Sequence, residues 1–187
     1  MGSQCLRLLA CLCVLLLAAC AVHQVKGPHV TAEKPILVGE VGREAVEAAV
    51  PDWVEAAVSS TIEPEAAKAL LAVPSGFEVA IFFGTWCGDS RRELARLWRA
   101  LDEVGGELPF PIRLIAVDRA KAEPAGEVAG MDLLYVPTVI VRRGGVEVGR
   151  IVETSPHGIE RDLLDLLTGR VSGVLSASHP ELANGGG

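Results

Sequence analysis

Cys87 carries the clearest chemistry in this 187-residue chain. It stands in Phe82-Phe83-Gly84-Thr85-Trp86-Cys87-Gly88-Asp89-Ser90, where an apolar run ends in a thiol at the start of a polar, helix-prone stretch. The thiolate is the nucleophile in disulfide exchange, and a free cysteine, with a pKa of about 8.5, is mostly protonated at neutral pH. A helix N-terminus presents unpaired N–H groups and the positive end of the peptide dipoles, both of which favour the ionised form. Arg91 and Arg92 add positive charge, and Asp89 works against them. Three residues after the thiol comes Ser90, whose hydroxyl either bonds the Cys87 thiolate or caps the helix. In neither role can it close a disulfide, so a redox cycle at Cys87 must take its second sulfur from another molecule.

The elements that must position this thiol are legible in the hydrophobic pattern. Phe77 to Phe83 is a short apolar run bounded by turn residues, which predicts a buried strand. Over residues 90–104 Leu94, Leu97, Trp98 and Leu101 recur at helical spacing, with Arg91, Arg92, Arg96 and Arg99 on the solvated positions. Residues 112–118 and 136–141 predict two further strands, the latter opening on Val136-Pro137-Thr138. Arg143-Gly144-Gly145 signals a turn into an antiparallel partner over 146–153. A last helix over 158–167 turns Ile159, Leu163, Leu166 and Leu167 inward and stops at Gly169. Upstream, residues 36–73 are rich in Ala and Glu and punctuated by Pro51 and Pro64, which predicts a helical extension with Trp53 in the core. Residues 170–187 end in Asn184-Gly185-Gly186-Gly187 and are expected to form a disordered tail.

The chain's start reads as an address. Residues 1–19 carry Arg7 and then an uncharged apolar stretch, the pattern of a signal peptide. That stretch falls short of the roughly 20 residues a transmembrane helix needs. Leu17-Ala18-Ala19-Cys20 resembles the bacterial lipobox, which implies that Cys20 becomes the lipidated first residue of the mature protein. Ordinary cleavage after Ala19-Cys20-Ala21 also fits the small-residue rule and would discard Cys20. Residues 20–35, with Gly27-Pro28, suit a flexible tether. Cys5, Cys11 and Cys13 lie in the signal, so with Cys20 acylated Cys87 is the sole free thiol, and an internal disulfide framework is excluded.

Composition narrows the function classes further. The formal net charge of −7 becomes −8 once Arg7 leaves with the signal, which argues against a nucleic-acid partner. The histidines, His23, His29, His157 and His179, are scattered, so neither a metal nor a cofactor is expected. No glycine-rich phosphate loop or acid pair points to nucleotide or hydrolytic chemistry.

The order of strand, Trp86-Cys87-Gly88, helix, strand, Val136-Pro137-Thr138, hairpin and final helix resembles the thioredoxin family over residues 77–169. The resemblance implies an α/β domain over residues 36–169, a central mixed sheet flanked by helices, with residues 36–73 as an N-terminal helical extension. It implies Cys87 as nucleophile, Trp86 and Ser90 beside it, and Pro137 as a cis-proline lying against the thiol. It further implies a groove of Val136, Pro137, Gly88 and Asp89 in which an extended substrate pairs with backbone. The family often places a buried acid six residues before the nucleophile, where this chain has Ile81. Acid and second cysteine are missing together, which is coherent with loss of a dithiol cycle.

The function so implied is a monothiol thiol–disulfide exchange protein, tethered by lipid to a membrane of the bacterial cell envelope. Its partners would be exported proteins with disulfides or oxidised thiols, or low-molecular-weight mixed disulfides, together with an external resolving thiol. A second reading, from another class, is a non-catalytic adaptor that keeps the peptide groove and has lost turnover.

Overall fold

A computed structural model describes residues 35–184. The signal, the lipidation residue Cys20 and all of the tether except Pro35 lie outside the described residues. In chain order the elements are β1 (Gly39–Val41), α1 (Arg43–Ala49), α2 (Asp52–Ser59), α3 (Pro64–Leu70), β2 (Phe77–Phe83), α4 (Gly88–Val104) and β3 (Ile112–Ala116). There follow α5 (Ala125–Val128), β4 (Thr138–Arg143), β5 (Val146–Val152), α6 (Ile159–Leu167), β6 (Gly173–Leu175) and a 3₁₀ turn over Pro180–Asn184. The six strands form one mixed sheet in the order β1-β3-β2-β4-β5-β6, flanked by helices. Within it β2 runs parallel to β3 and antiparallel to β4, so β2 is central.

Side chains alternate across a strand, and β2 shows what each face of the sheet requires. Phe77, Val79, Ile81 and Phe83 enter the larger core, which α1 to α4 and α6 cover with Val46, Trp53, Leu70, Leu94, Leu97, Trp98 and Leu163. Ala80 and Phe82 enter a smaller cluster with Ile115, Val117, Val136 and Ile140, covered by Val128, Met131 and Leu133. Both faces are therefore buried beyond the exposed Glu78, which is why β2 reads as an apolar run from Val79 to Phe83. Trp53 is 1% exposed and meets Phe83 edge-on and Trp98 at a tilt, each with ring centroids 5.8 Å apart. The hairpin between β4 and β5 turns on Gly144 and Gly145, with φ of 57° and 80°. Positive φ at both central positions is what a tight hairpin demands and what glycine supplies without strain.

Two polar devices with buried carboxylates tie α4 to its surroundings. Glu160, fully buried on α6, accepts from Arg96 Nη2 of α4 at 2.7 Å and from the Glu63 N–H before α3 at 2.7 Å. Glu93 of α4 bonds the Ser155 hydroxyl in the loop after β5. Arg96, expected on a solvated face, is thus half-withdrawn and committed to an ion pair. The approach is close enough that a side chain at Gly158 would collide with the Arg96 guanidinium.

Two segments differ from the sequence expectation. The extension opens with a strand, β1, pairing Gly39–Val41 antiparallel to β3, so residues 36–73 are not helical throughout. The chain beyond residue 170 is ordered through Asn184, where a disordered tail was expected: β6 adds to the edge of β5 in parallel, and the 3₁₀ turn follows. Edge backbone on β5 provided the unpaired groups that a three-residue strand could complete. Among the described residues no helix is long and apolar enough to cross a membrane.

Candidate functional site

The site begins where β2 runs out. Gly84 ends the strand, and its carbonyl accepts the Cys87 N–H at 2.9 Å, closing a turn that delivers the thiol to the head of α4. Cys87 has extended backbone (φ −95°, ψ 127°) and is the N-cap of that 17-residue helix, its carbonyl accepting from the Arg91 N–H at 3.1 Å. No side chain caps the helix. The turn is held from several sides. Trp86 folds back so that its indole N–H donates to the Val117 carbonyl at 3.1 Å, and the Arg119 guanidinium lies 5.4 Å from the ring. A methyl group on Gly84 would fall 2.5 Å from the Trp86 ring, so glycine is required there by that close approach. Thr85 Oγ1 donates to the Pro35 carbonyl at 2.7 Å and accepts the Leu37 N–H at 3.2 Å, clipping the start of the domain onto the site.

Ser90 takes neither of the roles its position suggested. It is fully buried, and its Oγ accepts the Gly84 N–H at 3.2 Å. It neither bonds Cys87 nor caps the helix. Instead it satisfies a strand-end donor that would otherwise be buried without a partner, at a cost of about 1–3 kcal/mol. Ser90 is therefore a brace for the turn. Gly88 is exposed as the first helical residue, and Asp89 pairs with Arg92 Nη1 at 2.6 Å. Arg92 also reaches Thr154 Oγ1 at 2.9 Å with its other nitrogen.

Opposite the thiol stands the loop before β4. The Val136–Pro137 peptide is cis, both residues are buried, and the partly exposed Cys87 thiol donates to the Val136 carbonyl at 3.2 Å. Each carbonyl of the loop has its own donor: Tyr135 O accepts from Thr138 Oγ1 at 2.7 Å, and Pro137 O from the Glu153 N–H at 2.7 Å. The Val136 N–H has no partner among the described residues. On the far side of Trp86, Asp118 follows Val117. The N–H groups of Glu123 and Ala122 hold its carboxyl below the usual carboxylate range and keep that loop folded against the indole.

Cys87, Trp86, Gly88, Asp89, Val136 and Pro137 are thus brought together, and Ser90 lies beneath them. Among the described residues Cys87 is the only cysteine, and no three His, Cys, Asp or Glu side chains gather to hold a metal ion. Sequence reasoning missed Tyr135, Glu153, Thr154 and His179, which ring the loop from its outer side. His179 stacks on Tyr135 with centroids 3.7 Å apart. The sole signal was that Tyr135, the chain's one tyrosine, immediately precedes Val136-Pro137. The arrangement offers a partly exposed sulfur at a helix N-terminus, one backbone carbonyl on that sulfur and one unpartnered backbone donor beside it.

No family model matches the chain, and no curated protein matches it. Among solved structures it is similar to a protein of unknown function from Pseudomonas aeruginosa, with 17% identity over 70% of this chain and 88% of that one and a TM-score of 0.48. It is also similar to an HIV epitope-scaffold, with 21% identity over 77% of this chain and 82% of that one and a TM-score of 0.41.

Proposed function

We propose that this protein is a monothiol thiol–disulfide exchange protein with a thioredoxin-like domain, carried on a lipid-anchored tether at the bacterial cell envelope. The observation that carries the reading is the placement of Cys87: a partly exposed thiol at the N-cap of α4, 3.2 Å from the Val136 carbonyl. A sulfur so placed meets the unpaired N–H groups of the helix end on one side and the Val136 backbone on the other. An extended client segment would pair with the unpartnered Val136 N–H, as a strand pairs with a sheet edge.

The exchange is balanced with a single cysteine. The Cys87 thiolate attacks one sulfur of a client disulfide; the Sγ–S bond forms, the client S–S bond breaks, and the leaving thiolate takes a proton from solvent. An external thiolate then attacks the client sulfur of the mixed disulfide, restoring Cys87 and leaving that client sulfur bonded to the external thiol. Cys87 begins and ends as a thiol, so the net result is transfer or rearrangement of a disulfide. Ser90, as a brace, takes no proton.

The test is adduct trapping with the full chain and its Cys87→Ser variant in envelope extracts, read by mass spectrometry. The proposal expects disulfide-linked clients or small-thiol adducts on the Cys87 peptide, absent from the variant, and an acyl mass on Cys20. Partners recovered equally and without covalent linkage by both proteins would overturn exchange in favour of the non-catalytic adaptor.

A further inference from the structure

The segment from Gly173 to Asn184 runs beside the loop that touches the thiol, and it is fastened there by few contacts. β6 pairs with β5 through Gly173, Val174 and Leu175. Beyond it the Ala177 N–H donates to Thr154 O at 2.8 Å, and Ser178 Oγ donates to Thr154 Oγ1 at 2.7 Å. His179 then makes the two contacts that reach the loop: its ring stacks on Tyr135, and its Nε2 lies 2.9 Å from Glu153 Oε2. Tyr135 is the neighbour of Val136, whose carbonyl accepts from Cys87, and the Glu153 N–H holds the Pro137 carbonyl. One side chain therefore grips both flanks of the Tyr135-Val136-Pro137 loop. Beneath it lies a cavity of about 190 Å³ lined by Leu134, Tyr135, Val152, Val174 and Leu182. The strap and the loop both line this space, and the His179 contacts bridge them beside it.

We propose that His179 is a positioning residue that clamps the Val136–Pro137 loop over Cys87 and so limits how large a disulfide can reach the sulfur; this rests on the exchange reading above. Both ring nitrogens face carboxylates, Nε2 facing Glu153 and Nδ1 facing Glu181 at 3.2 Å. The ring thus meets Tyr135 from the loop before β4, Glu153 from the end of β5 and Glu181 from its own turn.

The experiment compares the reaction of Cys87 in the full chain with a bulky aromatic disulfide and with a small methylthiosulfonate. Both reagents consume the thiolate, so the ratio of their rates cancels its population and reads access alone. His179→Ala, which loses stack and hydrogen bond, should raise the bulky-to-small ratio about three- to tenfold; His179→Phe, which keeps a ring on Tyr135, should raise it less. A ratio unchanged in His179→Ala overturns the clamp and leaves exchange standing. Failure of Cys87 to react with either reagent overturns the exchange reading itself, and the clamp with it. Thermal midpoints of both variants within a few degrees of the parent separate release of the loop from general unfolding.

Discussion

Phe82 and Phe83 are neighbours on one strand, yet they enter different environments. Phe83 meets Trp53 and the covering of five helices, whereas Phe82 belongs to a cluster of six buried residues under one four-residue helix and a loop. The helical face is also braced by the half-buried Arg96 pairing with the buried Glu160, while the thinner face includes Trp86 and Cys87 among the side chains packed against it. Regions with few buried contacts open locally at lower free energy than the core. Cys87, which the proposed exchange requires to admit another molecule, is set at the thin side, with the rigid side holding the helix that presents it.

The largest effect should come from the rigid side. Arg96→Ala leaves Glu160 buried with its charge unpaired, and breaking such a pair costs about 3–5 kcal/mol. Denaturant unfolding should show that loss, while the small-reagent reactivity of Cys87 in the folded fraction stays near the parent's. If reactivity changed as much as stability, the two faces would be one cooperative unit and the contrast would fail.

A change on the thin side should reverse the weighting. Gly84→Ala drives a methyl group into the Trp86 ring, and overpacking of this kind costs about 1–3 kcal/mol. Because the indole must swing away and give up its bond to the Val117 carbonyl, Cys87 reactivity should change more than stability does. Tryptophan emission should shift to the red as the ring gains water. A variant that loses stability with no change in emission or thiol reactivity would mean that Trp86 does not shape the site.

The same contrast explains what could be read from the residues alone. β2 and α4 announced themselves because their apolar residues recur at the spacing of the element and bury against it. β1 and β6 did not, since each is three residues long and is specified by the edge it completes: Gly39 opposite Ala116, and Gly173 beside Gly149. The thiol and the loop facing it were marked by Trp86-Cys87-Gly88 and Val136-Pro137-Thr138. The partner of Ser90 was not, because a hydroxyl that fills a backbone vacancy at Gly84 leaves no periodic trace. Nor could pattern reveal Arg96 with Glu160, or Tyr135 with His179, whose partners are far apart in sequence and meet only through the fold. Short-range patterns specify elements, and pairings between distant polar residues are left to tertiary packing.

The smallest effect separates packing from charge on the helical side. Arg43 of α1 grips Asp102 of α4 through both terminal guanidinium nitrogens, at 2.5 and 2.7 Å, and also lies 5.1 Å from the Trp98 ring centroid. Asp102→Asn removes the charge pair and leaves the cation over the indole, so it isolates the electrostatic part. The hydrogen bonds from Arg43 hold the Asp102 carboxyl below its usual range. A carboxyl depressed in the folded state adds stability above its unfolded pKa, about 3.9 for aspartate, and loses that contribution as the pH falls through the lower folded value. The parent should therefore exceed Asp102→Asn by about 0.2–1 kcal/mol at pH 7, since the pair is half-exposed and screened, and by nothing measurable near pH 2. A difference that persisted in acid would have to come from shape rather than charge. Arg43 would then hold α1 against α4 by its contact with Trp98, making even the rim of the helical face a matter of packing, as its centre already is around Trp53.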